Sequence, residues 1–161
     1  MSAHSHTDHQ PAPKQKIGVL LLNLGTPDGT DYWSVRRYLK EFLSDPRVIE
    51  TPKWLWWPIL NLGILSFRPQ KSGHAYAQIW DRERNESPLR VITREQTESL
   101  AQRLMGEDIV VDFAMRYGNP STRSVLEKME AAGCRKILLV PLYPQYSATT
   151  TATANDKAFE A

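Results

Sequence analysis

A chain of 161 residues with 41% hydrophobic and 24% charged side chains can bury one core and remain in solution, which excludes a disordered or fibrous protein. Twenty Lys and Arg against 18 Asp and Glu leave a net charge of +2, too small and too interspersed to form a footprint for nucleic acid, so no nucleic-acid partner is expected. The single cysteine, Cys134, cannot close an internal disulfide and no apolar run opens the chain, so the expected location is the cytoplasm.

Residues 1–15 (MSAHSHTDHQPAPKQ) hold two prolines and three of the four histidines and follow neither a strand nor a helix period, which predicts a disordered N-terminal tail. His4, His6 and His9 are metal-capable in type. A solvated tail is favoured over a metal site, because an unordered segment must lose conformational freedom before it can chelate. The folded domain is expected over residues 16–161, with no second domain and no internal repeat.

From Lys16, the run IGVLLLNL predicts a strand covered on both faces, ended by Gly25, Thr26, Pro27, Asp28 and Gly29. Thr30 or Asp31 then caps a helix with Tyr32, Val35, Leu39 and Phe42 on its apolar side. Residues 54–67 (WLWWPILNLGILSF) carry no charge and three of the five tryptophans, yet Pro58 and Gly63 interrupt them. They are too short to span a bilayer, which needs about 20 apolar residues. Core packing is one reading; an exposed lip for an apolar ligand or a membrane surface is the other.

A helical pattern resumes over residues 70–82, and Ser87-Pro88 opens another helix with Leu89, Ile92, Gln96, Leu100 and Leu104 on one stripe. IVVDFAM (109–115) predicts a second buried strand. Asn119-Pro120 restarts a helix with Val125, Leu126, Met129 and Ala132 inward and Gly133 at its end, and KILLV (136–140) is a third strand. This order implies an α/β, Rossmann-like, doubly wound parallel sheet. Ligands in such sheets bind beyond the carboxyl ends of the strands, here residues 24–31, 115–121 and 141–151.

The first of these loops has glycines and hydroxyls ahead of a helix N-terminus, a setting for an anion or for a plain turn, but it lacks the dinucleotide and P-loop spacings. A nucleotide-binding domain is therefore the weakest of the functional readings. Arg116 in the second loop pairs with Tyr117 and suits either a salt bridge or a ligand carboxylate. The third, PLYPQYSATTTAT, combines rings and hydroxyls as an amphipathic planar ligand requires.

LLNLGTP at residues 21–27, SPL at 87–89, MRYGNPST at 115–122 and PLYPQYSATTTAT at 141–153 together resemble the ferrochelatase family over residues 16–161. The resemblance implies one of two similar Rossmann-type halves flanking a porphyrin cleft, and insertion of Fe2+, as substrate, into protoporphyrin IX to give protohaem. It implies porphyrin contacts at Leu24, Arg68, Trp80, Ser87, Arg116, Tyr117 and Ser147. Leu24 can only pack against the ring, and Trp80 stands where relatives have tyrosine. Arg68 would meet a propionate, and residues 54–67 would form the lip at the cleft mouth, where membrane contact is the further expectation.

The family's metal-handling histidine and glutamate follow a motif that is not present here. Hence no catalytic residue, no metal ligand and no tightly bound cofactor are expected in residues 1–161, which read as an N-terminal half inactive by itself. His74 is read as a surface or packing residue. A stand-alone porphyrin-binding module is the alternative function.

Overall fold

A computed structural model describes residues 15–106 and 108–161; the tail histidines, and all but the last residue of the tail expected over residues 1–15, lie outside them. The first strand, β1 (Lys16–Thr26), is central. It pairs in parallel with β2 (Ile109–Gly118) on one side and with β3 (Cys134–Pro141) on the other. Its apolar run is continuous because both faces are covered, as in a buried parallel strand. Leu20 and Leu22 pack with Val125 and Met129 of α5 (Thr122–Ala131) and with Ala154 of α6 (Thr153–Glu160). Val19, Leu21, Phe113 and Met115 form the opposite layer, reached by Leu100 of α4 (Pro88–Arg103). Helices on both faces of three parallel strands make the sheet doubly wound, as the sequence predicts.

β1 continues two residues past the predicted break. Gly25 sustains it at φ +108°, and a Cβ there would lie 1.9 Å from the Tyr117 carbonyl oxygen, so only glycine lets β1 and β2 stay in register to their ends. Asp31 caps α1 (Tyr32–Leu43), accepting from the N–H groups of Trp33 and Ser34.

The uncharged stretch is not broken. α2 (Lys53–Pro58), a π-helical segment (Ile59–Ile64) and α3 (Leu65–Ile79) follow one another without a loop. Pro58 has no N–H to donate, and the helix accommodates it by widening into π geometry before returning to α at Leu65. Leu60, Leu65, Pro69 and Gly73 form the buried side. Gly73 allows close approach to α1, since a Cβ would stand 2.4 Å from the Thr30 carbonyl oxygen.

One predicted stripe is rotated and another is shortened. α4 buries Arg90, Val91, Thr93 and Thr97 rather than Ile92 and Gln96, because Arg90 and Thr93 find polar partners inside. In α5, Val125 and Met129 are buried but Ala132 is exposed, and the cap is Ser121, after a cis Asn119–Pro120 bond.

Candidate functional site

The carboxyl edge of the sheet is built around a buried carboxylate. Asp45, just past α1, has a side chain only 5% exposed. Its Oδ2 accepts from Arg116 Nη2, from the Tyr117 hydroxyl at 2.8 Å and from the Thr153 hydroxyl; its Oδ1 accepts from the Arg47 N–H at 2.8 Å. Arg116 Nε also donates to Thr153 at 2.6 Å, and its guanidinium lies 4.3 Å from the centre of the Tyr117 ring. Every strong donor therefore has a partner, the condition for a buried ion pair to persist. Burial pushes the Asp45 carboxyl up, but the hydrogen bonds from Thr153, Arg47 and Tyr117 and the Arg116 charge outweigh it and hold the group below the usual aspartate range. Burial, then the Asp45 hydrogen bond, pushes the Tyr117 phenol up, so it remains a donor at neutral pH.

A second tie sits beside the first. Asp28 accepts from buried Arg90 and from Asn119, both at 2.9 Å, joining the loop after β1 to α4 and to the loop after β2. Between these loops lies a cavity of about 250 Å³, whose lining includes Thr26, Ser34, Arg37 and Asn119. Its lining mixes polar with apolar surface, Pro27 and Tyr38 among the latter, and carries both signs of charge in Asp28, Glu41 and Arg37.

A larger groove, about 760 Å³, runs along the π segment and α3. Ile59, Ile64 and Phe67 give it an apolar wall, and Arg68 and Lys71 place two cations at one rim. The surrounding surface is apolar too. Trp54 and Phe67 are 79% exposed, Leu62 72% and Trp57 63%. Trp56 is the inward tryptophan, donating to the Leu43 carbonyl at 2.7 Å. Residues 54–67 are thus divided: one helix face packs, and the other is an open apolar surface.

The seven expected ligand contacts are distributed unevenly. Arg68 lines the large groove. Leu24 is half-buried against the cluster that contains Tyr117, and Trp80 is half-buried with its indole N–H donated to Asn85 at 3.1 Å. Ser147 is half-buried and caps the short π turn Ala148–Ala152 by accepting from the Thr149 N–H. Ser87 is buried and caps α4. Tyr117 is fully buried and Arg116 nearly so, both turned inward onto Asp45. His74, the only histidine among the described residues, is exposed on α3.

Asp45, Thr153, Asp28 and Lys71 escape a reading of the sequence. Asp45 lies 71 residues from Arg116 and 108 from Thr153, and no local pattern links positions so far apart. Lys71 carries a usable signal, since three residues after Arg68 on a helix is the same face. Among the described residues no group of three or more His, Cys, Asp or Glu side chains is arranged to hold a metal ion, and no helix is long and apolar enough to cross a membrane.

Residues 16–161 match the family profile described as Ferrochelatase. The chain is 59% identical to a ferrochelatase of Rhodobacter capsulatus across 98% of its own length and 46% of the relative's. It is 63% identical to a ferrochelatase of Mesorhizobium japonicum, covering 95% of this chain and 44% of the relative, and 62% identical to one of Agrobacterium fabrum, covering 90% and 42%. The chain thus spans about half the length of the curated relatives it matches.

Proposed function

The chain belongs to the ferrochelatase family, and on that premise we propose that residues 16–161 form one wall of a porphyrin site in a protein that inserts Fe2+ into protoporphyrin IX. The observation that carries this reading is the large groove, where an apolar wall stands beside Arg68 and Lys71. A flat apolar ring with two propionates asks for that pairing: dispersion and desolvation along the ring, and charge-assisted hydrogen bonds at one edge. In this assignment Arg68 and Lys71 of the groove take the propionates, and Leu24, Trp80 and Ser147, which lie outside its lining, are assigned to the ring as the family resemblance implies. Ser87, Arg116 and Tyr117 serve the porphyrin through the loops they hold.

Iron is the substrate here, and no resident cofactor is invoked. Metallation must remove two pyrrole protons, which requires a base near the ring centre. Arg68 and Lys71 are cations, and the buried carboxylate of Asp45 already accepts from Arg116, Tyr117 and Thr153. Residues 1–161 by themselves are therefore assigned ring binding without turnover. The apolar face carrying Trp54, Trp57, Leu62 and Phe67 is assigned contact with a membrane surface, since indoles suit the boundary between water and lipid.

The test is titration of this chain with protoporphyrin IX. Expected are a shifted Soret band and quenched tryptophan fluorescence at micromolar ligand, with no metalloporphyrin formed on adding Fe2+ under anaerobic conditions. Absence of both optical changes overturns the porphyrin assignment, and metalloporphyrin formation overturns the assignment of binding without turnover.

A further inference from the structure

We propose that Asp45 is a positioning residue: it holds the hydroxyl-rich loop after β3 against the end of β2, and so sets the wall that Ser147 contributes to the porphyrin site. The functional half of this inference rests on the reading above; the structural half does not.

Tyr143 packs against the core and Ala152 is buried, but the loop has few polar ties to the rest of the chain. Leu142 makes the last ladder contact, its N–H donating to the Leu22 carbonyl at 2.8 Å. Over residues 143–152 the hydrogen bonds are then local: Thr150 and Ala152 N–H groups donate to the Ser147 carbonyl, and the Thr149 N–H to the Ser147 hydroxyl. The next tie to a distant part of the chain is Thr153, whose hydroxyl donates to Asp45 and accepts from Arg116. Three residues on, Asp156 of α6 pairs with Arg47, but both side chains are more than 40% exposed, where ion pairs contribute little. The buried carboxylate is therefore the principal polar anchor of the loop.

The same contacts explain Arg116. Its Nε and Nη2 are committed inside the protein, and its side chain is 11% exposed. A ligand carboxylate that took Nη2 would displace Asp45 and leave that group buried without its partner, which is costly. Arg116 thus acts as a strut between the ends of two strands, and the exposed Arg68 and Lys71 remain for the ligand.

The experiment compares this chain with its Asp45→Asn and Asp45→Glu variants by amide hydrogen exchange and by titration with protoporphyrin IX and its dimethyl ester. Asp45→Asn should raise exchange at Thr150 and Ala152 by about tenfold while Leu20 and Leu22 stay protected, and Asp45→Glu should recover most of that loss. Affinity for the diacid and the diester should fall by the same factor, because what is lost is a wall and not a charge. Unchanged exchange at Thr150 and Ala152 overturns the proposal, as does a loss confined to the diacid. Should wild-type chain bind neither porphyrin, the functional reading fails while the exchange result still decides the role of Asp45. If Asp45→Asn does not fold, Thr153→Val removes one strand of the same anchor and is read by the same exchange criterion.

Discussion

At the carboxyl edge of the sheet, Asp45, Arg116, Tyr117 and Thr153 turn polar and charged groups inward, each satisfied by the next. On the helix over residues 53–79, Trp54, Trp57, Leu62 and Phe67 turn apolar groups outward, with Arg68 and Lys71 beside them. The usual partition is reversed in both places, for different reasons. Charges can be buried where each has a partner, and the closed network then fixes three segments of chain. Apolar side chains left in water lower stability or give nothing back until something covers them, so a surface of this kind is informative about a ligand or a lipid. Closed polar edge and open apolar helix thus differ in what they leave free: the first commits its polar groups to the fold, and the second leaves its apolar groups uncovered.

The largest expected effect breaks the closed region. Asp45→Ala leaves Arg116 buried without its carboxylate and strips acceptors from Tyr117 and Thr153, and should cost about 3–5 kcal/mol in urea unfolding at neutral pH. The pH dependence has a definite sign. Because the folded carboxyl lies below the ordinary value of 3.8, its stabilisation is fully present above 3.8 and is lost as pH falls through the lower, folded value. The gap between wild type and Asp45→Asn should therefore be constant from neutral pH down toward 3.8 and shrink below it. A gap that grows on acidification contradicts the network.

Next in size is a change that moves the open region and spares the closed one. Gly73→Ala puts a Cβ 2.4 Å from the Thr30 carbonyl oxygen, so α3 must shift away from α1 at a cost of about 1–3 kcal/mol. Porphyrin affinity should fall with it, while the Tyr117 phenol, read by its ultraviolet titration, should stay resistant to ionisation. An altered Tyr117 titration would show that the two regions are mechanically one.

Arg68→Ala sharpens the comparison by acting on contact alone. Arg68 lines the groove, so removing its guanidinium should weaken protoporphyrin IX binding by about 1 kcal/mol, near a factor of five, and leave the dimethyl ester unaffected. Lys71→Ala should behave alike, and a loss shared by the ester would place both residues in packing.

The fold was legible because its signals are local. A run such as IGVLLLNL, an Asp31 or Ser87 cap and a glycine at position 133 each act through neighbours a few residues away. The α4 stripe misled because Arg90 and Thr93, polar by type, are buried by distant partners: Asp28 for Arg90, and for Thr93 the amide of Asn23, which donates to its hydroxyl. In the candidate site the sequence marks the loops but not which way their side chains turn. MRYG draws attention to Arg116 and Tyr117, but that both turn to the interior depends on Asp45, which no short-range pattern connects to them. The uncharged helix was ambiguous for another reason. Its composition is apolar all round, so only the packing of Leu60, Leu65 and Gly73 against α1 and its neighbours tells the covered side from the open one.

The smallest effect on stability carries a large effect on binding, and it tests the open surface directly. Trp54 and Trp57 are 79% and 63% exposed, so changing both to Ser removes little buried area and should shift unfolding by no more than about 0.5 kcal/mol. Binding to vesicles of mixed neutral and anionic lipid, followed by co-sedimentation, should nevertheless fall severalfold, because each indole lost from the lipid boundary removes contact that nothing else on that face replaces. Trp56→Ser makes the counterpart: it deletes a hydrogen bond to the Leu43 carbonyl and inward packing, so stability should fall while the outer surface keeps its composition. If Trp56→Ser alone abolished vesicle binding and the outer pair did not, the exposed face would be inert, and the lipid contact would depend on how the helix is seated rather than on what it presents.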